Sequence, residues 1–447
     1  MMEIEYLIRN AIAINDPQMG EFTPQASVFV SGGKIAAVGS YDALRAASPQ
    51  AEVIDGSGCL LLPGLVDAHT HLYGALIAAM PAPKTALKRF ADVLEYVWWV
   101  WDRNLTVADV IASAQVGCAA SVRAGITTIF DHHASPRAVE GSLSTLAAQI
   151  GRTGLRACLA YEVSDRNGVD DFEAGVAENI RFSRQIAAHP GNMLRAMFGL
   201  HAVFSLSDGS LRRCGQAAAE LGIGCHLHVA EHRDEVARFA EKHSQHIPAF
   251  LADIGILSPK SLLAHTVHVD TADILTMKAG GTYNAHNPQS NLSNGVGIAP
   301  VLEMLTRGQK VCLGSDGFFN LAHQVGLAQM MQTTASGVPG ALSDRQALSM
   351  LYGNNIQMAE EVFDCRMGKI REGYTADLIL VKYEPLIPLS QNTVHSETLR
   401  ALQSGRVTTV MVDGSLVMLN DVLMGMDESE IDYNARAAAA GIHERLS

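Results

Sequence analysis

The middle of the chain alternates short apolar segments with stretches of helical spacing, and this alternation constrains the fold more than any other feature. The helical stretches include "TVADVIASAQVGCAASVRAG" and "SLRRCGQAAAELG", and each ends at a glycine, as a left-handed stop requires. Apolar strands that alternate with helices predict a parallel sheet with its outer face covered. Eight such segments predict a (β/α)8 TIM barrel. The segments are "CLLLPGLVDAH", "TTIFDHH", "RACLAYEVSD", "LRAMFGLHAVF", "GCHLHVAEH", "SLLAHTVHVD", "GTYNAHNPQSN" and "KVCLGSDGF".

The two ends of the chain have a different pattern. "YLIRNAIAIN" and "ASVFVSGGKIAAVGS" near the start, and "TADLILVKY" and "TTVMVDGSLVML" near the end, are typical of strands with hairpin turns at "GG" and "DG". We therefore expect an α/β protein in which both chain ends build a small β-sandwich. The expected boundaries are 1–59 and 366–447 for the sandwich and 60–365 for the barrel.

The composition limits the kinds of partner the protein is expected to bind and the cellular compartment in which it is expected to work. The net charge of -13, without a run of Lys and Arg, argues against nucleic acid as a partner. No apolar stretch approaches the ~20 residues that span a bilayer, and "MMEIEYLIRN" is acidic where a signal peptide is basic. The seven cysteines are scattered, which is typical of reduced thiols. We expect a cytoplasmic protein with no membrane partner, and a homodimer is the commonest assembly.

Polar residues sit at the C-terminal end of each apolar segment of the predicted barrel. In such a barrel the strand ends and the following loops converge at one rim, where active sites lie. The pattern therefore predicts a functional site at that rim. In chain order the residues are His69, His71, His132, His133, Glu162, Asp165, His201, His228, Glu231, His265, His286, Asn291 and Asp316.

The spacing of these residues indicates a metal site. His69 and His71 are two residues apart on a strand, so their side chains point to the same face. His228 adds a third imidazole from across the barrel, and Asp316 adds a carboxylate from the last strand. Three histidines and one aspartate leave a position for water, as catalytic sites do, and imidazole suits zinc, iron, nickel or cobalt. An HxH pair alone also fits core packing, but the whole set in barrel order favours a metal.

Two neighbouring patterns compete with this interpretation. His226 lies two residues before His228 and faces the same way, but Glu231 favours His228 as the ligand, with His226 behind it. "HVAEH" also spells the motif of inverted zinc peptidases, which requires a helix, whereas this segment follows an apolar alternating strand. The zinc deaminases with a PCxxC motif are excluded because the sequence has no such motif.

The motifs "PGLVDAHTHL", "HLHVAEH", "LLAHTVHVD", "NAHNPQSNLSNGVGIAPV" and "LGSDG" resemble the amidohydrolase superfamily, in its cytosine/guanine/triazine deaminase branch. The resemblance covers nearly the whole chain. It looks closest to SsnA-type aminohydrolases through "WWVWDR", "DHHASP", "GSLSTL" and "ENIRFSRQI".

The resemblance implies a role for each matching residue. His69, His71, His228 and Asp316 match the metal ligands, Glu231 matches the proton carrier, and His265 matches the residue that orients the attacking water. His201 matches a substrate contact, and the missing lysine on its strand implies one divalent ion. Zinc is the first expectation and iron the alternative.

Several side chains around this set have two interpretations. Tyr73 and His132 are expected to contact the substrate or simply to pack. Two interpretations also fit Trp98, Trp99 and Trp101. The segment that carries them is either a lid over the pocket, in which Trp98 stacks on the substrate ring, or part of a helix that packs its aromatic side chains in the core. Glu162 and Asp165 either accept a substrate N–H or are solvated loop carboxylates, and the second interpretation is favoured.

These residues predict a hydrolytic deaminase that acts on cyclic amidines. Hydroxide from the metal adds to the ring carbon that bears the amine, while Glu231 protonates the neighbouring ring nitrogen, His265 hydrogen-bonds the oxygen and Asp316 accepts a proton. Collapse of the adduct releases ammonia. By family analogy the substrate is a small oxo- and amino-substituted heterocycle, an isocytosine- or guanine-type base. The alternatives are a triazine-type chlorohydrolase or a cyclic-amide hydrolase on the same metal centre, and a non-catalytic barrel scaffold.

Overall fold

The computed structural model describes residues 4–189 and 191–447. The strands are β1 Tyr6–Asp16, β2 Glu21–Ser31, β3 Lys34–Gly39, β4 Glu52–Asp55, β5 Cys59–Pro63, β6 Leu65–Thr70, β7 Ile126–His133, β8 Arg156–Tyr161, β9 Leu194–Ala196, β10 Phe198–Ala202, β11 Cys225–Val229, β12 Leu262–His265, β13 Tyr283–His286, β14 Lys310–Leu313, β15 Leu378–Lys382, β16 Arg406–Val412, β17 Ser415–Leu419 and β18 Val422–Leu423.

The helices alternate with the central strands. They are α1 Tyr41–Ala47, α2 Phe90–Val93, α3 Trp99–Asp102, α4 Val107–Arg123, α5 Ser142–Thr153, α6 Val169–Ala188, α7 Asp208–Leu221, α8 Arg233–His243, α9 Ile247–Asp253, α10 Thr271–Gly280, α11 Pro288–Ser293, α12 Val301–Thr306, α13 Leu321–Ser336, α14 Asp344–Leu348, α15 Asn355–Phe363, α16 Val394–Ser404 and α17 Glu428–Leu446. Short 3₁₀ turns cover Leu72–Gly74, Ile77–Ala79 and Val203–Ser205, and π-helical turns cover Leu94–Trp98 and Ser349–Asn354.

The central strands form a closed parallel barrel, as predicted. Strands β6 to β9 and β10 to β14 pair as sheets of four and five strands. β9 pairs with β8 and β10 pairs with β11, so these two are halves of one barrel strand interrupted at Met197. Parallel bridges from Val163 to Leu200 and from Thr70 to Asp316 join the two sheets into an eight-stranded barrel.

Local signals explain why the predicted helices form where they do. α4 begins at a capping box in which Thr106 and Asp109 bond each other's backbone amides. It ends at Arg123, two residues before Gly125, whose φ is 79°. α7 begins at Ser207, whose side chain accepts from the amide of Ser210, and ends at Gly222 in the left-handed conformation.

Strands from both ends of the chain form a separate sheet, as predicted. It has nine strands in the order β18-β17-β16-β15-β5-β1-β2-β3, with β4 beside β1, and β15 runs antiparallel to β5. Both predicted hairpins are present, with positive φ at Gly32 and Gly33 and at Asp413 and Gly414. The sheet includes β5, so it extends past residue 59. The predicted domain boundaries stay predictions.

The apolar residues of this sheet divide between two cores according to strand alternation. Leu378 and Leu380 of β15 pack in a small cluster within the sheet domain, whereas Ile379 and Val381 pack in the main core with the barrel. The central strand β15 is therefore covered on both faces.

Among the described residues no single helix is long and apolar enough to cross a membrane. Only the helical segment Phe90–Asp102 and helix α4, taken together, reach the required length and apolar character, and the two are bent by 110° relative to each other.

A buried ion pair ties the barrel to the terminal sheet. Arg156 of β8 is fully buried, and its guanidinium donates to Asp377, next to β15, and to the hydroxyl of Thr128. Asp377 also accepts from the amide of Asp413 at 2.7 Å.

Removing one partner of this pair leaves a buried charge without its counterpart. Asp377→Ala is therefore expected to lower the free energy of unfolding by about 3 to 5 kcal/mol. The exposed Arg152–Glu430 pair is the control, and Glu430→Ala should cost less than about 1 kcal/mol. Urea unfolding followed by circular dichroism measures both, and equal losses would contradict this account.

Candidate active site

Closure of the barrel brings together residues from its first and last strands. The amide of His71 donates to the carbonyl of Asp316 at 3.0 Å, and the amide of Asp316 donates to the carbonyl of His69 at 2.9 Å. The Asp316 carboxylate Oδ1 then lies 3.2 Å from His71 Nε2 and 4.0 Å from His69 Nε2. Gly314 is required nearby, because a Cβ there would lie 2.3 Å from Asn287 Oδ1.

Asp67 reinforces this junction from within β6. Its carboxylate accepts from the hydroxyl of Ser315 and, at 2.9 Å, from the amide of Ser315. It also accepts from the amide of His69 at 3.3 Å. Sequence analysis missed Asp67, although a carboxylate inside an apolar strand was a visible signal.

His228 completes the group from the end of β11. Its Nε2 lies 3.3 Å from His71 Nε2, and its ring centre lies 5.1 Å from that of His69. All four predicted ligands therefore meet at one rim of the barrel, and His69, His71 and His228 have nitrogens within 4.8 Å of one another.

The Nδ1 atoms of the three histidines are held by hydrogen bonds. His71 Nδ1 donates to the carbonyl of His132 at 2.6 Å, and His228 Nδ1 donates to the carbonyl of His201 at 2.7 Å. His69 Nδ1 lies 2.8 Å from Nε2 of His226, so His226 lies behind the His69 ring. These bonds leave Nε2 of each ring for a ligand.

The donor set fits a divalent metal ion. His69 Nε2 is buried and has no hydrogen-bond partner among the described residues. Burial holds the pKa of His69 and of His228 well below the usual 6.5, so both rings are in the neutral form that binds metals. Three imidazole nitrogens and one carboxylate match a catalytic site.

Glu231 and His265 stand beside this metal site. His265 Nε2 lies 3.9 Å from Asp316 Oδ2, and His265 Nδ1 lies 3.8 Å from Glu231 Oε1. The side-chain Oδ1 of Asn291 lies 2.8 Å from His265 Nδ1 and orients that ring. Burial raises the pKa of Glu231 to about 7.

Several residues of the same rim have strained backbone conformations. Ala230, His265, Thr266 and Asp316 all have positive φ, between 43° and 71°, which non-glycine residues rarely adopt. Such conformations cluster at functional sites because the surrounding structure must hold them.

A cavity opens above the metal site. It is lined by His71, Tyr73, Phe90, Leu94, Trp98, Trp99, Asp102, Glu162, Arg166, His201, Ala202, Phe204, His228, Glu231, His265, Asn294 and Asp316. Three of the predicted substrate contacts, Tyr73, Trp98 and His201, are among them. The three tryptophans occupy two different environments. Trp98 and Trp99 line the cavity, whereas Trp101 is fully buried and its indole N–H donates to the carbonyl of Tyr73.

His132 does not line the cavity, contrary to the expectation of a substrate contact. It is fully buried, and its ring stacks on His226 with centres 4.4 Å apart. The reason is that other side chains enclose it: one of its ring nitrogens lies within 4.8 Å of nitrogens of His69, His71 and His228, and its carbonyl accepts a hydrogen bond from His71.

Glu162 also differs from its prediction as a solvated carboxylate. Its side chain is 2% exposed and its Oε1 lies 3.3 Å from His71 Nδ1. Arg166 and Asp102, which sequence analysis did not single out, form an ion pair at the cavity. Asp165 lies outside the cavity lining and accepts from the amide of Ser207.

A metal site on strand ends of a (β/α)8 barrel defines a metal-dependent hydrolase. The model of the amidohydrolase family matches residues 60–417, and the chain belongs to that family. A second model, of an imidazolonepropionase-like composite domain of bacteria, matches residues 28–51.

Relatives and a solved structure match nearly the whole chain. A 5'-deoxyadenosine deaminase of Methanosarcina mazei is 29% identical, covering 99% of both chains. A 5-methylthioadenosine/S-adenosylhomocysteine deaminase of Pelotomaculum thermopropionicum is 29% identical, covering 94% of both. The crystal structure of an adenosine deaminase from Xanthomonas campestris with bound zinc has a TM-score of 0.86 at 21% identity and 99% coverage of both. The prediction of a hydrolase acting on carbon–nitrogen bonds in cyclic amidines is confirmed.

The hydrogen bonds that hold the ligand rings predict that different substitutions weaken metal affinity to different degrees. His228→Ala removes a donor and should abolish stoichiometric binding of a divalent ion. His226→Leu removes only the partner of His69, so affinity should fall by about 10- to 100-fold. Exposed His443→Leu is the control, and elemental analysis after dialysis against a graded chelator series measures all three. Full metal retention by His228→Ala would contradict the assignment.

Proposed function

We propose that this protein is a mononuclear zinc-dependent deaminase that removes the 6-amino group from an adenosine-type nucleoside. The observation that carries the proposal is that His69, His71, His228 and Asp316 meet at one rim of the barrel, beneath a cavity that Glu231 and His265 line. The names of the relatives support a nucleoside substrate and do not support the isocytosine- or guanine-type base expected from sequence. The imidazole-rich donor set and the zinc in the related fold support zinc.

The metal would be held by His69, His71, His228 and Asp316, and when bound it supplies hydroxide at neutral pH. Asp316 is placed to accept a proton from the attacking water. His265, 3.9 Å from Asp316, is placed to hydrogen-bond the oxygen that adds to the ring carbon. Asn291 keeps His265 in this orientation.

Glu231 carries the proton to the substrate. Protonation of the ring nitrogen next to the reacting carbon lowers the cost of breaking aromaticity, and general acid–base help of this kind is worth about 10²- to 10⁴-fold. The water oxygen bonds to the carbon, and one water proton reaches the ring nitrogen through Glu231. The carbon–nitrogen bond then breaks, and the amine takes the second water proton and leaves as ammonia. Trp98 and Trp99 supply aromatic faces on which a purine can stack.

The site would also support displacement of chloride from a triazine or opening of a cyclic amide, but no feature of the cavity favours either. A non-catalytic scaffold would have no need of the strained His265 and Asp316. A homodimer and the absence of nucleic-acid and membrane partners stay predictions.

An ammonia-release screen tests the proposed reaction. Zinc-loaded protein is expected to release ammonia from adenosine and 5'-deoxyadenosine faster than from isocytosine or guanine, and to leave chlorotriazines intact. If aminopurine nucleosides release no ammonia, the proposed function is wrong, and chloride release from a triazine would favour the rival.

Glu231→Gln separates chemistry from binding. The amide keeps the shape of the carboxyl but cannot transfer its proton, so kcat should fall by about 10²- to 10⁴-fold while zinc stays bound. Exposed Glu241→Gln, on the following helix α8, is the matched control. Full activity of Glu231→Gln with unchanged zinc would exclude Glu231 as the proton carrier.

A further inference from the structure

We propose that Glu235 is a positioning residue, which holds the turn that carries Glu231 and so keeps this proton carrier in place for transfer to the substrate. This inference rests on the proposed function and extends it from the residues that line the active-site cavity to a buried side chain behind them. Glu235 lies in the first turn of α8 and is not part of the lining of that cavity.

Glu231 lies in a strained turn between β11 and α8. β11 ends at Val229, and Ala230 then has a φ of 50°, in the left-handed region that favours glycine. Such a conformation persists only where neighbouring groups hold it. On one side, the carbonyl of Ala230 accepts hydrogen bonds from the amides of Val267 and His268 at 3.1 Å and 2.9 Å.

Glu235 holds the other side of this turn. Its Oε2 accepts from the amide of Glu231 at 3.1 Å, and the amide of Ala230 lies near the same carboxyl group. Glu235 is buried, and its Oε1 has no hydrogen-bond partner among the described residues, so the bond to the amide of Glu231 orients the side chain. A buried amide without an acceptor is costly, and the carboxyl group therefore fixes the backbone at Glu231.

This hydrogen bond is not the ordinary cap of α8. In a capping box the third residue of a helix bonds the amide of the N-cap residue, which in α8 is His232. Glu235 instead bonds the amide one residue earlier, and His232 Nδ1 caps the helix by accepting from the amide of Asp234 at 3.2 Å. Glu235 therefore holds the turn of Glu231 rather than the end of the helix.

The surroundings of Glu235 favour its neutral form. Burial, and to a smaller extent the charge of Glu231, raise the pKa of Glu235 to about 8, so the group is protonated at pH 7. Glu235 lines a second, largely apolar cavity together with Leu211 and Phe239. A neutral amide offers the same carbonyl oxygen as an acceptor, so glutamine can take over the bond to the backbone.

The position of Glu231 matters because proton transfer requires its carboxyl group to lie within hydrogen-bond reach of the ring nitrogen. A misplacement of about 1 Å in an active site can lower the rate by about 100-fold. Because Glu235 lies outside the lining of the active-site cavity, loss of its acceptor is expected to slow the chemical step without weakening the binding of substrate or zinc.

Substitutions at Glu235 test this inference by steady-state ammonia release from adenosine. Glu235→Met keeps the length of the side chain but removes the acceptor. Its kcat should fall by about 10- to 100-fold, with KM changed by less than about threefold and the zinc content unchanged. Glu235→Gln keeps a carbonyl oxygen, and its kcat should stay within about threefold of wild type. Glu241→Met, at an exposed position of the same helix, is the matched control and should change none of these values.

A double variant shows whether Glu235 acts through Glu231. Glu231→Gln combined with Glu235→Met should have a kcat within about threefold of Glu231→Gln alone, because the proton carrier that Glu235 positions is already lost. A general structural role of Glu235 would lower kcat by the same factor whether or not Glu231 is substituted. That additive result would overturn the inference.

A further variant guards against a folding defect. If circular dichroism shows that Glu235→Met does not fold, Glu235→Asp takes its place, since it keeps a carboxyl group on a shorter side chain and should lower kcat in the same way. Wild-type kcat in the folded variant, or an equal loss in Glu235→Gln, overturns this inference and leaves the proposed deamination intact. Absence of ammonia from aminopurine nucleosides with the wild-type protein overturns both.

Discussion

The backbone ladder that closes the barrel is the constraint on which the rest of the structure depends. Two amide hydrogen bonds between His69–His71 and Asp316 join positions far apart in the chain, and they set the ligand residues side by side. Asp67 strengthens this junction by accepting a hydrogen bond from the amide of Ser315, two residues past the end of β14. A shift of one residue in this register would turn the histidine pair to the wrong face, because side chains alternate along a strand.

The orientation of the three imidazole rings is then set by the groups that hydrogen-bond to their Nδ1 atoms. Carbonyls of His132 and His201 hold two of the rings, and His226 holds the third, so each Nε2 is free for the metal. Burial keeps His69 and His228 neutral. The cost of burying so many polar groups is offset where they bind a cation or a substrate, and the strained φ values at His265 and Asp316 mark the same place.

Much of this arrangement could be predicted from the sequence because it follows from periodicity. Continuous apolar strands between helices indicate a parallel barrel, and polar residues at strand ends indicate its active rim. The hydrogen-bond partners of the ring nitrogens could not be predicted. Every residue has a backbone carbonyl, so the sequence does not show that the carbonyl of His132 is the one that binds His71. For the same reason His132 was expected in the cavity, although other side chains enclose it.

Glu162 and Arg166 show a second limit. They follow a strand in a polar segment, where a solvated loop is the ordinary interpretation. In the structure Glu162 is buried against His71, and Arg166 is paired with Asp102 of α3. Trp98 and Trp101 were equally ambiguous, because the sequence does not show which of two tryptophans three residues apart lines the cavity and which is buried in the core.

The central claim is that His69, His71, His228 and Asp316 hold one divalent ion. A crystal structure of the zinc-loaded protein with anomalous data at the zinc edge tests it most directly. The account predicts one strong peak per chain, within bonding distance of the three Nε2 atoms and the Asp316 carboxylate. A peak bound by other residues, or stoichiometric zinc with no peak at this rim, would contradict it.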